Sequence, residues 1–470
     1  MAGLFSSLNA SVKALTAQSR ALEITGKNLA NVNNPSYARQ RVILGDRGTV
    51  QTPQGAQSLG LEALGIEQVR DSLLDQQVGR EISLRGAYEA EQQGYQRAQA
   101  GLGQSIDRST SAASSTGSGA NGLAPALDEF FNSFQGFAAS PTDNGERQSV
   151  LQNTAILIDR FHLADQRLAQ VQADLSAEVT SDVGDVNRLL STIADLNNQI
   201  GRFEIAAPGS AVDLRDQREA RIEELAAKLP IEARDTGSGQ VQIVAKSSGG
   251  ADVVLVDQGR VNGTAVFTGT QVTAGSPATV LGLASGSMQG AITARDGAVA
   301  TLRADLDNLA QQMVTSVNAA YNPTGLTGDF FDAAGVTAGT LALDASVTVT
   351  NLKASDGGAA GDNTVALAVA QLAQQQFSTS GTDYIDGTFS NFFSTSVSRL
   401  GQALSSANAR VDDQKNIETL VRTQRDGMSG VSLDEEMADL MKFQRSFQAS
   451  SRVFSVIDEL LDTVVNRLGR

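Results

Sequence analysis

SLDEEMADLMKFQRSFQASSRVFSVIDELLDTVVNRL (residues 432–468) holds neither glycine nor proline. Leu433, Leu440, Phe447, Phe454, Leu461 and Leu468 recur every seven residues, and Phe443, Ile457 and Val464 stand three residues after members of that line. The two sets are the a and d positions of one heptad frame, interrupted at Glu436 and Ser450. Such a frame keeps an apolar seam along a helix that meets a partner helix. Ser432 and Glu435 have the S-x-x-E spacing of a capping box after Gly430. Asp434, Glu435 and Glu436 suit the positive start of a helix, and Arg467 suits its end. From Val431 to Leu468 the pattern predicts one helix of about 57 Å.

The other end of the chain repeats the pattern. Leu8, Leu15, Leu22 and Leu29 are also spaced by seven, with Ser, Gln, Lys and Arg on the remaining faces. This helix has to stop before Pro35, because the residue preceding a proline is pushed out of helical geometry. Each terminal helix has a seam and no partner in its own neighbourhood. Apolar heptads more often serve an ordinary intramolecular core than an assembly surface. Their place at both extremes, with no compact domain around them, favours pairing of the two ends and then association with further copies.

Between the ends, Glu146 to Phe203 is helical in pattern, with a seam of Leu175, Val179, Val186, Leu189, Ile193, Leu196, Ile200 and Phe203. AVDLRDQREARIEELAAKL (211–229) is a further helix closed by Pro230. The period then changes. VQIV (241–244), VVLV (253–256) and AVF (265–267) are short strand-like runs separated by SSGG and by Asn262-Gly263. Helical pattern returns from Ser287 to about Ala320, a second β-like region holds LAL (341–343) and SVTVT (346–350), and helices resume near Asn363. The expected fold is α+β: elongated and mainly α-helical, with paired N- and C-terminal coiled-coil-like helices and a small inserted β domain. The expected boundaries are a terminal rod of 1–33 with 431–470, a helical domain of 34–230 with 284–322 and 372–430, and a β-rich insertion of 231–283 with 323–371.

Composition narrows the chemistry. A chain of 470 residues exceeds one hydrophobic core and predicts two to four domains. Its net charge of −16 makes nucleic acid and anionic membrane surfaces poor partners. There is no Cys, and His162 is the sole His, which removes disulfides, thiolate nucleophiles and Cys- or His-based metal clusters together. No apolar run reaches membrane-spanning length. The first thirty residues lack the basic start and apolar core of a Sec signal peptide, so export is expected to use another route. GSGANG (117–122) follows STSAASST rather than a strand, which favours a loop over a dinucleotide site. No nucleophile elbow or carboxylate constellation appears, so no catalysis, cofactor or metal is expected.

NLANVNNPSYARQRV (28–42) resembles the segment after the first helix of bacterial flagellar axial proteins, and residues 429–468 resemble their C-terminal helix. GLAPALDEFFNSFQGFAASPTDNGERQSVLQNTAILIDRF (122–161), AVDLRDQREARIEELA (211–226) and GDNTVALAVAQLAQ (361–374) are similar to the hook-associated junction proteins of that family. Two departures stand out: Ser36 where the family usually has Gly, and Phe447 where it usually has Tyr. The resemblance implies that the terminal helices form the inner rod of a tubular filament, with an assembly seam of Leu8, Leu15, Leu22, Leu29, Leu433, Leu440, Phe443, Phe447, Phe454, Ile457, Leu461 and Val464. It makes Asn33, Asn34, Pro35, Tyr37, Arg39 and Arg41 the joint at which the chain leaves the rod, with Arg39 and Arg41 available to acidic surfaces of neighbours. It implies self-association in a ring or helical layer, contact with hook protein and a second junction protein, an export chaperone on the C-terminal helix, and passage to the cell exterior through the flagellar channel. A hook or distal rod subunit is the nearest alternative, and a cytoplasmic coiled-coil scaffold a more distant one.

Overall fold

The computed structural model describes residues 2–102, apart from 35, 47, 53, 54 and 59, and residues 122–463, apart from 206, 326, 327 and 360. Pro35, Val464, Arg467, Leu468 and nearly all of GSGANG lie outside the described residues. In chain order the elements begin with α1 (Ala2–Ala30), β1 (Gln40–Asp46), β2 (Thr49–Thr52), β3 (Gly55–Ser58), β4 (Leu61–Gln68) and α2 (Ser72–Leu102). They continue with α3 (Leu123–Ala139), α4 (Asn144–Phe203), α5 (Val212–Lys228), β5 (Glu232–Asp235), β6 (Val241–Lys246), β7 (Asp252–Asp257), β8 (Arg260–Val261), β9 (Val266–Phe267), β10 (Val272–Ala274) and β11 (Thr279–Val280). The last are α6 (Ser287–Ala294), α7 (Ala300–Tyr321), α8 (Thr364–Gln371), α9 (Phe389–Ser429) and α10 (Leu433–Asp462). Among the described residues no helix is long and apolar enough to cross a membrane.

The chain forms two compact units. The first contains residues up to 85, 182–286 and from 414 onward. Here α1 and α10 pack against each other, and β1 and β4 form an antiparallel ribbon that also packs on α1. The ribbon pairs Gln40 with Gln68 and carries an irregularity between Ile43 and Leu44. A four-stranded antiparallel sheet runs in the order β5-β6-β7-β8, and a three-stranded one in the order β11-β10-β9. Arg218 ties α5 to this region by donating from Nη1 to Asn197 Oδ1 at 2.9 Å and to the Gly239 carbonyl at 2.8 Å. Gly286, at φ +90°, is held where a side chain would run into the Lys228 carbonyl, 2.3 Å from a hypothetical Cβ. Only glycine fits that conformation at that distance.

The second unit contains residues 86–181 and 287–413. Its core is aromatic. Phe130, Phe134, Phe330, Phe331, Phe389 and Tyr321 are each under 2% exposed. Ring centroids of Phe134 and Phe330 lie 5.3 Å apart edge to face, and those of Phe131 and Phe389 lie 5.5 Å apart and stacked. Such pairs add packing energy beyond the area they bury. His162 uses Nε2 on the Leu341 carbonyl at 2.9 Å, a bond that anchors a turn.

The helices expected from periodicity are present, as are strands at 241–244 and 253–256. Other expectations need correction. LAL and SVTVT are not strands: residues 341–350 are irregular, with turns at 345–346 and 349–350 and one isolated bridge joining Phe331 to Leu343. The reason is local side-chain competition for backbone donors. Asp344 Oδ1 accepts from the Ser346 N–H at 2.8 Å, and Asn351 Oδ1 from the Thr348 N–H at 2.6 Å, taking groups that a ladder would need. The two stretches grouped as one β-rich insertion also fall in different units, 231–283 in the first and 323–371 in the second. Ser432 does stand at the N-cap of α10, but its side chain makes no capping bond. Glu435 points instead to Arg39, and so no capping box forms.

Candidate functional site: the joint between the terminal helices

α1 ends in a turn, and its last buried side chain organises everything that follows. Asn28 is 1% exposed. Its Nδ2 donates to the Gln40 carbonyl at 2.8 Å and to Glu436 Oε2 at 3.0 Å. Its Oδ1 accepts from the Tyr37 hydroxyl at 2.8 Å and from the Gln40 N–H at 3.0 Å. That exhausts the bonding capacity of a primary amide. One residue thereby ties together α1, the joint, the start of β1 and α10.

Arg39 makes the second connection. Its Nε donates to Glu436 Oε1 at 2.7 Å, Nη1 to Glu435 Oε2 at 2.6 Å, and Nη2 lies 3.6 Å from Asp439 Oδ2. Its N–H donates to the Ser429 carbonyl at the end of α9 at 2.9 Å. Burial works against the Arg39 charge, but Glu436 and Glu435 outweigh it and hold the guanidinium pKa above its ordinary value. Glu436, with a side chain only 2% exposed, therefore has two donors, Asn28 and Arg39. A buried carboxylate is tolerable only when so paired.

α5 supplies the third wall. Asp216 Oδ1 accepts from the Ala38 N–H at 3.3 Å, Gln68 Nε2 at 2.6 Å and Arg70 Nη2 at 2.8 Å. Its Oδ2 is buried and unpaired. Burial pushes the Asp216 carboxyl up to about 6, against the opposing pull of Arg70. Gln40 Nε2 donates to Asp213 at 3.1 Å. Burial, then the charges of Asp216, Asp213 and Glu436, raises the Tyr37 phenol.

The proposed joint residues are thus largely accounted for inside the chain. Asn33 and Asn34 are exposed in the turn, and Asn34 Oδ1 accepts from the Ser36 N–H at 3.2 Å. Arg39 and Arg41 were expected to reach neighbours. Instead Arg39 grips α10, and Arg41 pairs with Glu67 on the adjacent strand at 3.2 Å. Of the seam residues, Ile457 and Leu461 are buried, while Leu440, Phe443 and Phe454 are half-buried. Leu433 and Phe447 are exposed, and Val464 lies outside the described residues. Leu8, Leu15, Leu22 and Leu29 are half-buried beside the true buried stripe of α1, which comprises Ser11, Ala17, Gln18, Ala21, Ile24, Thr25 and Asn28. Sequence reasoning missed Asn28, Gln40, Glu436 and Asp216. The break of the apolar frame at Glu436 was the visible signal. Among the described residues no group of His, Cys, Asp or Glu could hold a metal ion.

Three family models match the chain: "Flagellar hook-associated protein FlgK helical domain" over residues 110–331, "Flagellar basal body rod FlgEFG protein C-terminal" over 424–468, and "Flagella basal body rod protein" over 8–37. The chain is 26% identical to flagellar hook-associated protein 1 of Bacillus subtilis, covering 100% of this chain and 99% of that one. It is 23% identical to flagellar hook-associated protein 1 of Salmonella typhimurium, covering 98% and 99% respectively. A solved flagellar hook junction protein from Burkholderia pseudomallei aligns over 55% of this chain and 46% of its own, with a TM-score of 0.45 and 20% identity. Paired terminal helices that carry rod-type matches at both ends define a bacterial flagellar axial protein, a structural component of the flagellum. Within that class the chain is similar along its whole length to flagellar hook-associated protein 1 of Bacillus subtilis and of Salmonella typhimurium.

Proposed function

We propose that this chain forms the junction between hook and filament, and that it does so by stacking its terminal helix pair against copies of itself and against neighbouring axial subunits, without catalysis. The observation that carries this reading is the second apolar face of α10. While one side of α10 packs on α1, Leu433, Met437, Met441, Val453, Val456 and Leu460 remain 49–57% exposed. Soluble monomers seldom leave so many large apolar side chains of one helix uncovered. The half-buried leucine line of α1 adds to it. In this reading residues 1–33 and 431–470 form the rod part, hook protein and a second junction protein meet its two ends, and an export chaperone covers α10 before assembly outside the cell. Microscopy of a strain lacking the chain tests the role. Hooks without filaments, and filament subunits shed into the medium, are expected; normal filaments would overturn it. A Val456→Asp chain is expected to melt like the parent and fail to restore filaments.

A further inference from the structure

α1 buries a small and polar stripe around Ile24 with its leucine line half-buried beside it, while α10 buries Ile457 and Leu461 with Leu440, Phe443 and Phe454 half-buried. Apolar area alone therefore does not single out α1 over a second α10 as the partner of α10. Something must make α10 choose α1. The geometry points to Glu436 as a partner-selecting residue, with Asn28 and Arg39 as its side-chain donors among the described residues. In the folded chain both of its oxygens are served, Oε1 by Arg39 Nε at 2.7 Å and Oε2 by Asn28 Nδ2 at 3.0 Å. These donors come from residues 28–39 and not from α10. Ala21, Ile24 and Thr25 line the same small cavity as Glu436 and Phe443, so α10 runs antiparallel to α1 with Glu436 at the end of α1. An α10–α10 pair in either direction would bury Glu436 against the Leu and Phe seam with no donor. A buried charge without a partner is strongly unfavourable, and a polar residue at one seam position selects partner and register in helix pairs. The apolar frame is broken at this residue because specificity is taken there at the expense of apolar contact. This role holds whether or not the chain forms the hook–filament junction.

The absence of cysteine makes the test clean. Ser450→Cys, near the middle of the α10 frame, brings two thiols together if two α10 helices pair in parallel or antiparallel fashion. The full-length chain carrying it is oxidised in three forms: otherwise unchanged, with Glu436→Gln and with Glu436→Leu. Non-reducing gels and sedimentation read the dimer. Glu436→Leu is expected to raise α10–α10 pairing about a hundredfold, the order set by a lost unpaired-carboxylate penalty. Glu436→Gln, which keeps an acceptor for Asn28 but loses the charge, is expected to fall between the parent and Glu436→Leu. Equal dimer yield in all three forms would overturn the proposal. If Glu436→Leu does not fold, Asn28→Leu approaches the same point from the donor side. The carboxylate stays, so α10 amides are expected to exchange faster with no dimer. Dimer accumulation there, or unchanged exchange of α10, would equally overturn it.

Discussion

At the scale of single residues, the joint is a place where charge is buried and has to be compensated. Glu436 is compensated fully and Asp216 only on one oxygen. The folded Asp216 carboxyl at about 6 lies above its ordinary value near 3.8. The native state therefore holds this proton more tightly than the unfolded chain does. The stability Asp216 supplies is fully present below its unfolded pKa and is lost as pH rises through about 6. A shift of about two pH units corresponds to roughly 3 kcal/mol. Asp216→Asn keeps the acceptor for Ala38, Gln68 and Arg70 but cannot ionise. Relative to the parent, the variant is thus expected to be worse off at pH 4 than at pH 7, with the difference closing by up to about 3 kcal/mol across that window. Urea unfolding of both chains at the two pH values checks this, and a gap independent of pH would refute the assignment.

At the scale of elements, α10 and α5 were legible in the sequence because an uninterrupted amphipathic run leaves few alternatives to a helix. The ribbon of β1 and β4 was not, because its strands are half-exposed with no clean alternation, and a separate hairpin of β2 and β3 comes between them in sequence. The joint was half legible. Pro35 marks the break, but the bonds that set the geometry join residue 28 to 436 and 38 to 216, and no local pattern announces them. The unformed capping box has the same origin, since Arg39, far away in sequence, outbids Ser432 for Glu435. The three acids at the start of α10 therefore differ in weight. The Glu435 side chain is 62% exposed, and removing an exposed pair partner costs about 0–1 kcal/mol. Arg39→Ala leaves Glu436 buried beside a single donor and is expected to cost about 3–5 kcal/mol. Thermal melts of Glu435→Ala, Arg39→Ala and the double variant separate the two. Equal losses for the single variants would show that Glu436 is not the partner that matters.

At the scale of the whole molecule, the exposed apolar face extends beyond α10. The last part of α9, in the same unit, is turned inside out. Its buried residues are polar: Gln414 donates to Glu81 Oε2 at 2.5 Å, Glu418 pairs with Arg85 at 3.0 Å, and Arg425 pairs with Glu223 at 2.6 Å. Its exposed residues include Ile417, Leu420 and Met428. A helix folded only for its own unit would reverse that arrangement, because burying a polar group gains nothing beyond the hydrogen bonds that compensate it. The inversion is economical if the outward side is covered in the assembly, where each large apolar side chain contributes about 1.5–3 kcal/mol on burial. Leu420, 70% exposed, is the sharpest probe. Leu420→Asp is expected to change monomer stability by no more than about 0.5 kcal/mol, as exposed substitutions do. Ile457→Asp, placing a charge at a buried position of the helix pair, is expected to cost several kcal/mol in the same measurement. The two should differ again in cells. Leu420→Asp chains are expected to be made and exported at parental levels and still leave hooks without filaments. Normal filaments on cells carrying Leu420→Asp would mean that the outward face of α9 meets only solvent.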